Sequence, residues 1–361
     1  MNGKKFQHLW LHVGPPKTGT TALQRSIFEH RDALLGIGIY SPSFERNHRF
    51  FAKHFSSRSQ LLSEYPTFTL KQYESELASA GCDKALLTSE HFVRLTESEL
   101  VNMADYVTSQ FESVDVVYFV RDPLLALPSM VQEVIKNGGK TRAELVERPF
   151  GPRNKSILSK LVAAFGRDRI TLLRHDRLSD GNADAPAAFY ELIGFEDFDR
   201  KSVTFNQSMG KLAFRFANEL TSALIESGEA RGGMDWLRYI QGPRYHIDPE
   251  LLAANERYTE IDRDYLKSEW GVTFQATTLD VEEWQPTIEA TEDELNSIIA
   301  AAEHLLASEA QLRNILTLFP KIEIAAAASY TCELSREEQR AIALALNRLS
   351  LNRERGFNAT T

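Results

Sequence analysis

Three short segments of the 361-residue chain carry side chains whose types and spacing suit chemistry on an anion. The first is Gly14-Pro-Pro-Lys-Thr-Gly-Thr-Thr21, which lies between an apolar strand pattern and a helix pattern beginning near Thr20. Backbone N–H groups at a helix start, with the positive end of the helix dipole, suit phosphate or sulfate. Gly19 lets the backbone come close to such a ligand, and Lys17 adds a mobile point charge. The hydroxyls of Thr20 and Thr21 can add hydrogen bonds. The second segment is Arg121, directly after the apolar run Val114–Val120. Its planar guanidinium can make paired hydrogen bonds to phosphate. The third is Ser89-Glu90-His91, where a carboxylate and an imidazole, both able to take a proton, follow a short apolar run. Each has a plainer reading: a capped turn, a salt bridge of Arg121 with Asp122 or another neighbour, and a surface carboxylate.

These segments need a scaffold that brings them to one edge. Apolar runs at Phe6–Val13, Ala85–Thr88, Val114–Val120 and Ile170–Arg174 read as buried strands. Helical patterns separate them, from Thr20 to about Leu35 and around Leu70–Ala80, Glu97–Phe111 and Ile157–Phe165. Such alternation predicts an α/β fold, a P-loop-type core with a mainly parallel sheet flanked by helices on both faces. Ligands of open α/β sheets bind at the carboxyl ends of the strands, where all three segments fall. Pro128, directly before Ser129, suggests that the helix after Arg121 starts there rather than at Pro123.

From about Asn206 the strand signals fade. Helices are expected over MGKLAFRFANELTSALIES and PELLAANERYTEIDRDYLKSEW, with a long loop at Arg231–His246 between them. A soft boundary near Asp280 separates a domain over residues 1–280 from a helical C-terminal extension over 281–361. Within that extension, Thr291 with Glu294 and Ser335 with Glu338 have capping-box spacing.

A hydrophobic content of 43% and a charged content of 25% are those of a soluble globular protein. The net charge of −9 argues against general nucleic-acid binding. Cys82 and Cys332 give no disulfide framework. No apolar run reaches the length of a membrane span, and the N-terminus lacks the pattern of a signal peptide. A reducing cytoplasm is therefore expected. The Asn358-Ala-Thr triplet reads as chance. His12, inside the first strand, reads as a core histidine; His48 and His54 form no ligand pattern, and no metal site is expected. Aromatic residues between Tyr40 and Tyr73 could line an acceptor cleft or simply pack.

The strand, the Pro16-Lys-Thr-Gly-Thr-Thr21 run and the helix after it resemble the 5′-phosphosulfate loop of sulfotransferases. Those enzymes use 3′-phosphoadenosine 5′-phosphosulfate (PAPS) as donor. The nucleoside triphosphate loop, G-x-x-x-x-G-K-[ST], instead puts its lysine after the second glycine, whereas Lys17 stands two residues before Gly19. The resemblance covers about residues 6–275 and is similar in part to carbohydrate sulfotransferases of the heparan type. It implies that the Pro16–Thr21 run binds the donor, with the backbone of Thr18 to Thr21 on the 5′-phosphate. Lys17 would meet the transferring group. Arg121 and Ser129, eight residues apart, match the family's 3′-phosphate pair. Glu90 corresponds to the family's strand-end base, with His91 as the other candidate.

The implied reaction is sulfuryl transfer to an acceptor hydroxyl, with a carbohydrate acceptor first and 3′-phosphoadenosine 5′-phosphate as product. No metal is expected. The alternatives are a P-loop kinase or nucleoside triphosphatase, and a nucleotide-binding protein without turnover. The family's basic loop over the adenosine has its candidate in Arg231–His246. Residues 281–361 could serve as a dimerisation element or an acceptor-site wall.

Overall fold

The computed structural model describes residues 5–58, 68–151, 153–175, 185–196, 209–305 and 331–358. The end of the Asn358-Ala-Thr triplet lies outside the described residues. The chain divides into two compact units. The first comprises Met1–Pro123, Pro152–Asn206 and Asp262–Phe274; the second comprises Leu124–Gly151, Gln207–Ile261 and Gln275–Thr361. Residues 281–361 thus belong to the second unit together with earlier segments.

The first unit is built on a five-stranded sheet. Its strands are β1 (Phe6–His12), β2 (Ile39–Tyr40), β3 (Lys84–Thr88), β4 (Phe111–Val120) and β5 (Ile170–Arg174). Their order is β2-β3-β1-β4-β5, and every pairing is parallel. The strands are apolar on both faces because helices cover both, as parallel sheets require. One face carries Leu9, Leu11, Leu87, Val116 and Tyr118 against helices α4 (Leu70–Ser79), α5 (Glu97–Gln110) and α8 (Arg153–Phe165). The other carries Leu86, Val117 and Phe119 against α1 (Thr20–Glu29) and α9 (Ala185–Ile193). The α/β expectation holds.

Several local expectations change. The first helix stops at Glu29, and a separate α2 (Arg31–Gly36) follows His30. Strand β2 and helix α3 (Arg49–Phe55) have no counterpart in the sequence pattern; β2 is two residues long, too short for a periodicity signal. The helix after β4, α6, spans Pro123–Lys136 with Pro128 inside it, so it does not wait for Pro128 to begin. Pro123 suits the first helical position, and the later proline removes one internal N–H donor without ending the helix.

The second unit is mainly helical. It contains α7 (Arg142–Glu147), α10 (Lys211–Ser227), α12 (Glu292–Leu305) and α13 (Arg336–Asn358). Helix α11 (Pro249–Trp270) is shared, its residues from Asp262 onward counting with the first unit. Two three-residue strands, β6 (Ile288–Ala290) and β7 (Cys332–Leu334), pair antiparallel. Both expected capping pairs form: Thr291 accepts from the Glu294 N–H (3.3 Å) and Ser335 from the Glu338 N–H (3.2 Å). Trp236, Phe214 and Phe216 are fully buried in the helical core.

Candidate functional site

Strand β1 ends at His12, and the chain enters the Gly14–Thr21 loop. Gly14, Lys17 and Gly19 all adopt left-handed backbone, with φ of 91°, 73° and 77°. For Lys17 this conformation is strained, and such strain concentrates at functional sites. Backbone of this kind shapes the concave nests that bind anions. Gly19 is the cap residue of α1 and, lacking a side chain, supplies no cap of its own; the first turn of the helix holds no acidic residue. A Cβ on Gly19 would come within 2.9 Å of the Ala185 Cβ, so only glycine fits. The Thr18 hydroxyl donates to the Pro15 carbonyl (2.7 Å) and fixes the turn. Thr18 and Thr20 are buried, while Pro16, Lys17, Gly19 and Thr21 are half-buried.

Two of the other candidates stand against this loop. Arg121, after β4, donates from Nη1 to the Lys17 carbonyl at 3.4 Å. Its neighbour Asp122 receives both arms of Arg263, at 2.9 and 2.6 Å. Glu90, after β3, has Oε2 3.5 Å from the Thr20 hydroxyl, at the outer limit of a hydrogen bond. The Glu90 Cα lies 3.3 Å from where a Gly14 Cβ would stand, so the two loops pass at close quarters. The β3 and β4 ends are therefore gathered around the β1 loop, as their places beside β1 in the sheet require.

His91 is half-buried, and its Nδ1 is enclosed without a hydrogen-bond partner. Burial, reinforced by the Arg94 and Arg49 guanidiniums, pushes its pKa down to about 4. Ser129 belongs to the second unit and lies inside α6, where its hydroxyl donates to the Ala126 carbonyl at 2.8 Å. The arrangement around the loop can hold an anion and bring a guanidinium and a carboxylate to its edge.

Sequence reasoning missed several groups here. The His175 ring, after β5, lies 3.6 Å from the position of a Gly19 Cβ. His12 and His48 both reach Thr88, the last residue of β3. His12 Nδ1 lies 2.7 Å from the Thr88 hydroxyl, and the Thr88 N–H donates to His48 Nδ1 at 3.0 Å. The tertiary fold makes these contacts, and no spacing in the chain announces them. His12 is a core histidine, as expected, and its Nε2 is left without a partner.

The aromatic run splits. Phe50, Phe51 and Tyr73 are core residues, Phe44 is exposed and stacked on Phe68 (4.9 Å between centroids), and Tyr65 lies outside the described residues. In the second unit, the Arg231 side chain of the expected basic loop donates to the Thr221 hydroxyl (2.6 Å) and the Lys136 carbonyl (3.1 Å). Among the described residues no group of three or more His, Cys, Asp or Glu is placed to hold a metal ion. None of the described helices is long and apolar enough to cross a membrane.

No protein-family model matches the chain, and no curated protein matches it. Solved structures are similar to it over most of their length. A sulfotransferase from Alicyclobacillus acidocaldarius is 12% identical with a TM-score of 0.41, covering 73% of this chain and 96% of its own. The sulfotransferase domain of the Synechococcus PCC 7002 olefin synthase is 15% identical with a TM-score of 0.35, covering 72% and 96%. A sulfotransferase domain from the curacin biosynthetic pathway is 12% identical with a TM-score of 0.35, covering 71% and 98%.

Proposed function

We propose that this protein is a PAPS-dependent sulfotransferase that transfers a sulfuryl group to an acceptor hydroxyl, with a carbohydrate as the first acceptor to test. One observation carries the reading: a single strand-to-helix loop, rich in left-handed backbone, meets Arg121 at Lys17 and Glu90 at Thr20. A guanidinium and a carboxylate thus stand against one loop. The lysine two residues before Gly19 supports a sulfuryl rather than a triphosphate donor.

In this reading, the N–H groups from Thr18 to Thr21 hold the 5′-phosphate, and Arg121 takes the 3′-phosphate. Ser129 is the second candidate for the 3′-phosphate on the strength of its eight-residue spacing from Arg121. The acceptor oxygen attacks sulfur while its proton passes to Glu90. The bond from sulfur to the bridging phosphate oxygen breaks, and Lys17 stabilises the negative charge that develops there. Burial and two neighbouring guanidiniums make the His91 imidazolium costly, which favours Glu90 over His91 as the base. The machinery falls within residues 1–280.

A thermal-shift panel tests the reading. 3′-Phosphoadenosine 5′-phosphate without metal should stabilise the chain, and magnesium with ATP or GTP should not. Stabilisation by magnesium–ATP alone would make the protein a kinase or triphosphatase. Stabilisation by the bisphosphate with no transfer of radiolabelled sulfate to any glycan or phenol would make it a non-catalytic nucleotide binder.

A further inference from the structure

The end of strand β3 is held from both sides. Toward β1, the Ser89 N–H donates to the His12 carbonyl at 3.0 Å. In a parallel ladder successive N–H groups of a strand point to opposite neighbours, so the Thr88 N–H points the other way, toward β2. But β2 is paired as Ile39 with Lys84 and Tyr40 with Ala85, and that pairing ends short of Thr88. His48 takes the place of a strand partner: its Nδ1 accepts the Thr88 N–H at 3.0 Å. Thr88 is fully buried and His48 is 1% exposed, so without this acceptor the N–H would be stranded away from water.

The hydrogen bonds also fix the state of the ring. Nδ1 must carry a lone pair, and Nε2 therefore carries the proton, which it donates to the Pro42 carbonyl at 3.2 Å. The imidazole is neutral and held at both ends. His48 achieves this from left-handed backbone, with φ of 41°, a region that non-glycine residues seldom enter, although histidine, asparagine and aspartate do so more often than the rest. The surrounding structure keeps that strain at a residue whose bond ends two positions before Glu90.

We propose that His48 is a positioning residue for Glu90: by closing the β3 hydrogen-bond ladder at Thr88, it sets where the Glu90 carboxylate stands beside the Gly14–Thr21 loop. This inference rests on the proposed role of Glu90. His12 grips Thr88 from the β1 side through its hydroxyl, so the two histidines pin the strand end between them. Beyond Thr88 the chain turns at once, with the His91 N–H bonded to the Ser89 hydroxyl at 3.2 Å, so a shift at Thr88 reaches Glu90 directly.

Three variants test the proposal. Asn tolerates left-handed backbone, and its Oδ1 can accept the Thr88 N–H much as His Nδ1 does. Gly relieves the strain but leaves the N–H without an acceptor, and Leu does neither. His48→Gly and His48→Leu should lower kcat about 10- to 100-fold, the cost of a small misplacement of a catalytic group. The donor KM and bisphosphate affinity should stay within about twofold of wild type, and His48→Asn should restore kcat to within about threefold. Hydrogen exchange at the Thr88 amide should speed up in the Gly variant and return toward wild type in the Asn variant.

His48→Asn as slow as His48→Gly would overturn the proposal. So would a bisphosphate affinity that falls in step with kcat, or Thr88 exchange that is the same in all three variants. If the wild-type chain neither binds the bisphosphate nor transfers sulfate, the functional reading fails by itself. The Thr88 exchange ranking, Gly faster than Asn, then still decides whether His48 holds this strand end.

Discussion

Helix α1 of the first unit starts at a glycine, which supplies no side-chain cap of its own, and has no acidic residue in its first turn. Helices α12 and α13 of the second unit start the opposite way. Glu294 and Glu338 bond back to the capping residues there, and Glu292, Asp293 and Glu337 add further negative charge. Helix α10 also starts at a glycine, but the protein supplies a carbonyl to it: the Lys211 N–H donates to Pro243 at 2.7 Å. Away from the loop two helices of the first unit also carry capping boxes, at Thr69 and Thr96, while the cap residues of α2 and α3, His30 and His48, make no side-chain cap bond. A capped helix end is stabilised and has little left to offer an anion. Helix α1 starts at a glycine rather than at a capping box, and it does so where Arg121 and Glu90 meet the loop. The second unit answers its buried carboxylates internally: Arg142 bonds Asp248 at 2.9 and 2.6 Å, and Arg336 bonds Glu219 at 2.9 Å. The contrast separates the loop to which the proposed function assigns the donor from a region whose charges hold helices together.

The strongest break of that contrast is Glu90→Gln. The amide keeps the shape and cannot take a proton at neutral pH, so transfer should slow by about 10²–10⁴ while bisphosphate binding survives. Full activity in Glu90→Gln together with a dead His91→Ala would move the base to His91. Next comes Lys17→Ala, which removes the positive charge assigned to the leaving oxygen. Single-turnover rates should drop by about 10²–10³, and near wild-type rates would remove Lys17 from the mechanism.

Arg121→Ala should weaken the bisphosphate about ten- to a hundredfold, the worth of a charge-assisted hydrogen bond. Adenosine 5′-phosphosulfate, which lacks the 3′-phosphate, should lose far less in the same titration; equal losses would refute the assignment.

The neutral histidines beside the end of β3 predict the smallest effect, a pH response of stability. Burial holds the pKa of His12 at about 3 and that of His48 at about 4, both below the ordinary 6.5. Once unfolded, each ring titrates near 6.5, so between about 6.5 and 4 the unfolded chain binds protons that the folded chain refuses. Their contribution is therefore fully present above pH 6.5 and declines as the pH falls toward 4. Urea denaturation at pH 7.5 and 5.5 should show a lower midpoint at the acid value. His48→Asn removes one of the two rings and should make that decline shallower; an unchanged decline would mean that His48 is not held neutral.

Local patterns in the chain go far in this protein because they depend on near neighbours. The apolar runs ending at Val13, Thr88, Val120 and Arg174 mark the strands, since a parallel strand covered on both faces needs side chains that water would not keep. The Gly14–Thr21 loop declares itself through Gly19 and the lysine before it, because left-handed backbone and close approach restrict residue type. The pairs Thr291 with Glu294 and Ser335 with Glu338 show in the sequence for the same reason: a capping box spans three residues. Pro128 misleads, because a rule about proline at helix starts does not say whether the helix has already begun at Pro123.

What the chain order could not supply are contacts whose partners lie far apart along it. His48 and Thr88 are 40 residues apart and His12 and Thr88 are 76 apart, and they meet because β3 lies beside β1 and because β2 stops early. His175 comes to Gly19 by the same route, through the folding of the β5 end onto the loop. The division into units is likewise tertiary: Leu124–Gly151 belongs with residues beyond 206, although it follows β4 directly. Residue type and short spacing determined the strands, the loop and the caps, since those depend on backbone torsions and burial within a few residues. Which side chains close on the β3 end was decided by strand order and by the early end of β2, because a hydrogen bond forms only where the fold brings donor and acceptor within about 3 Å.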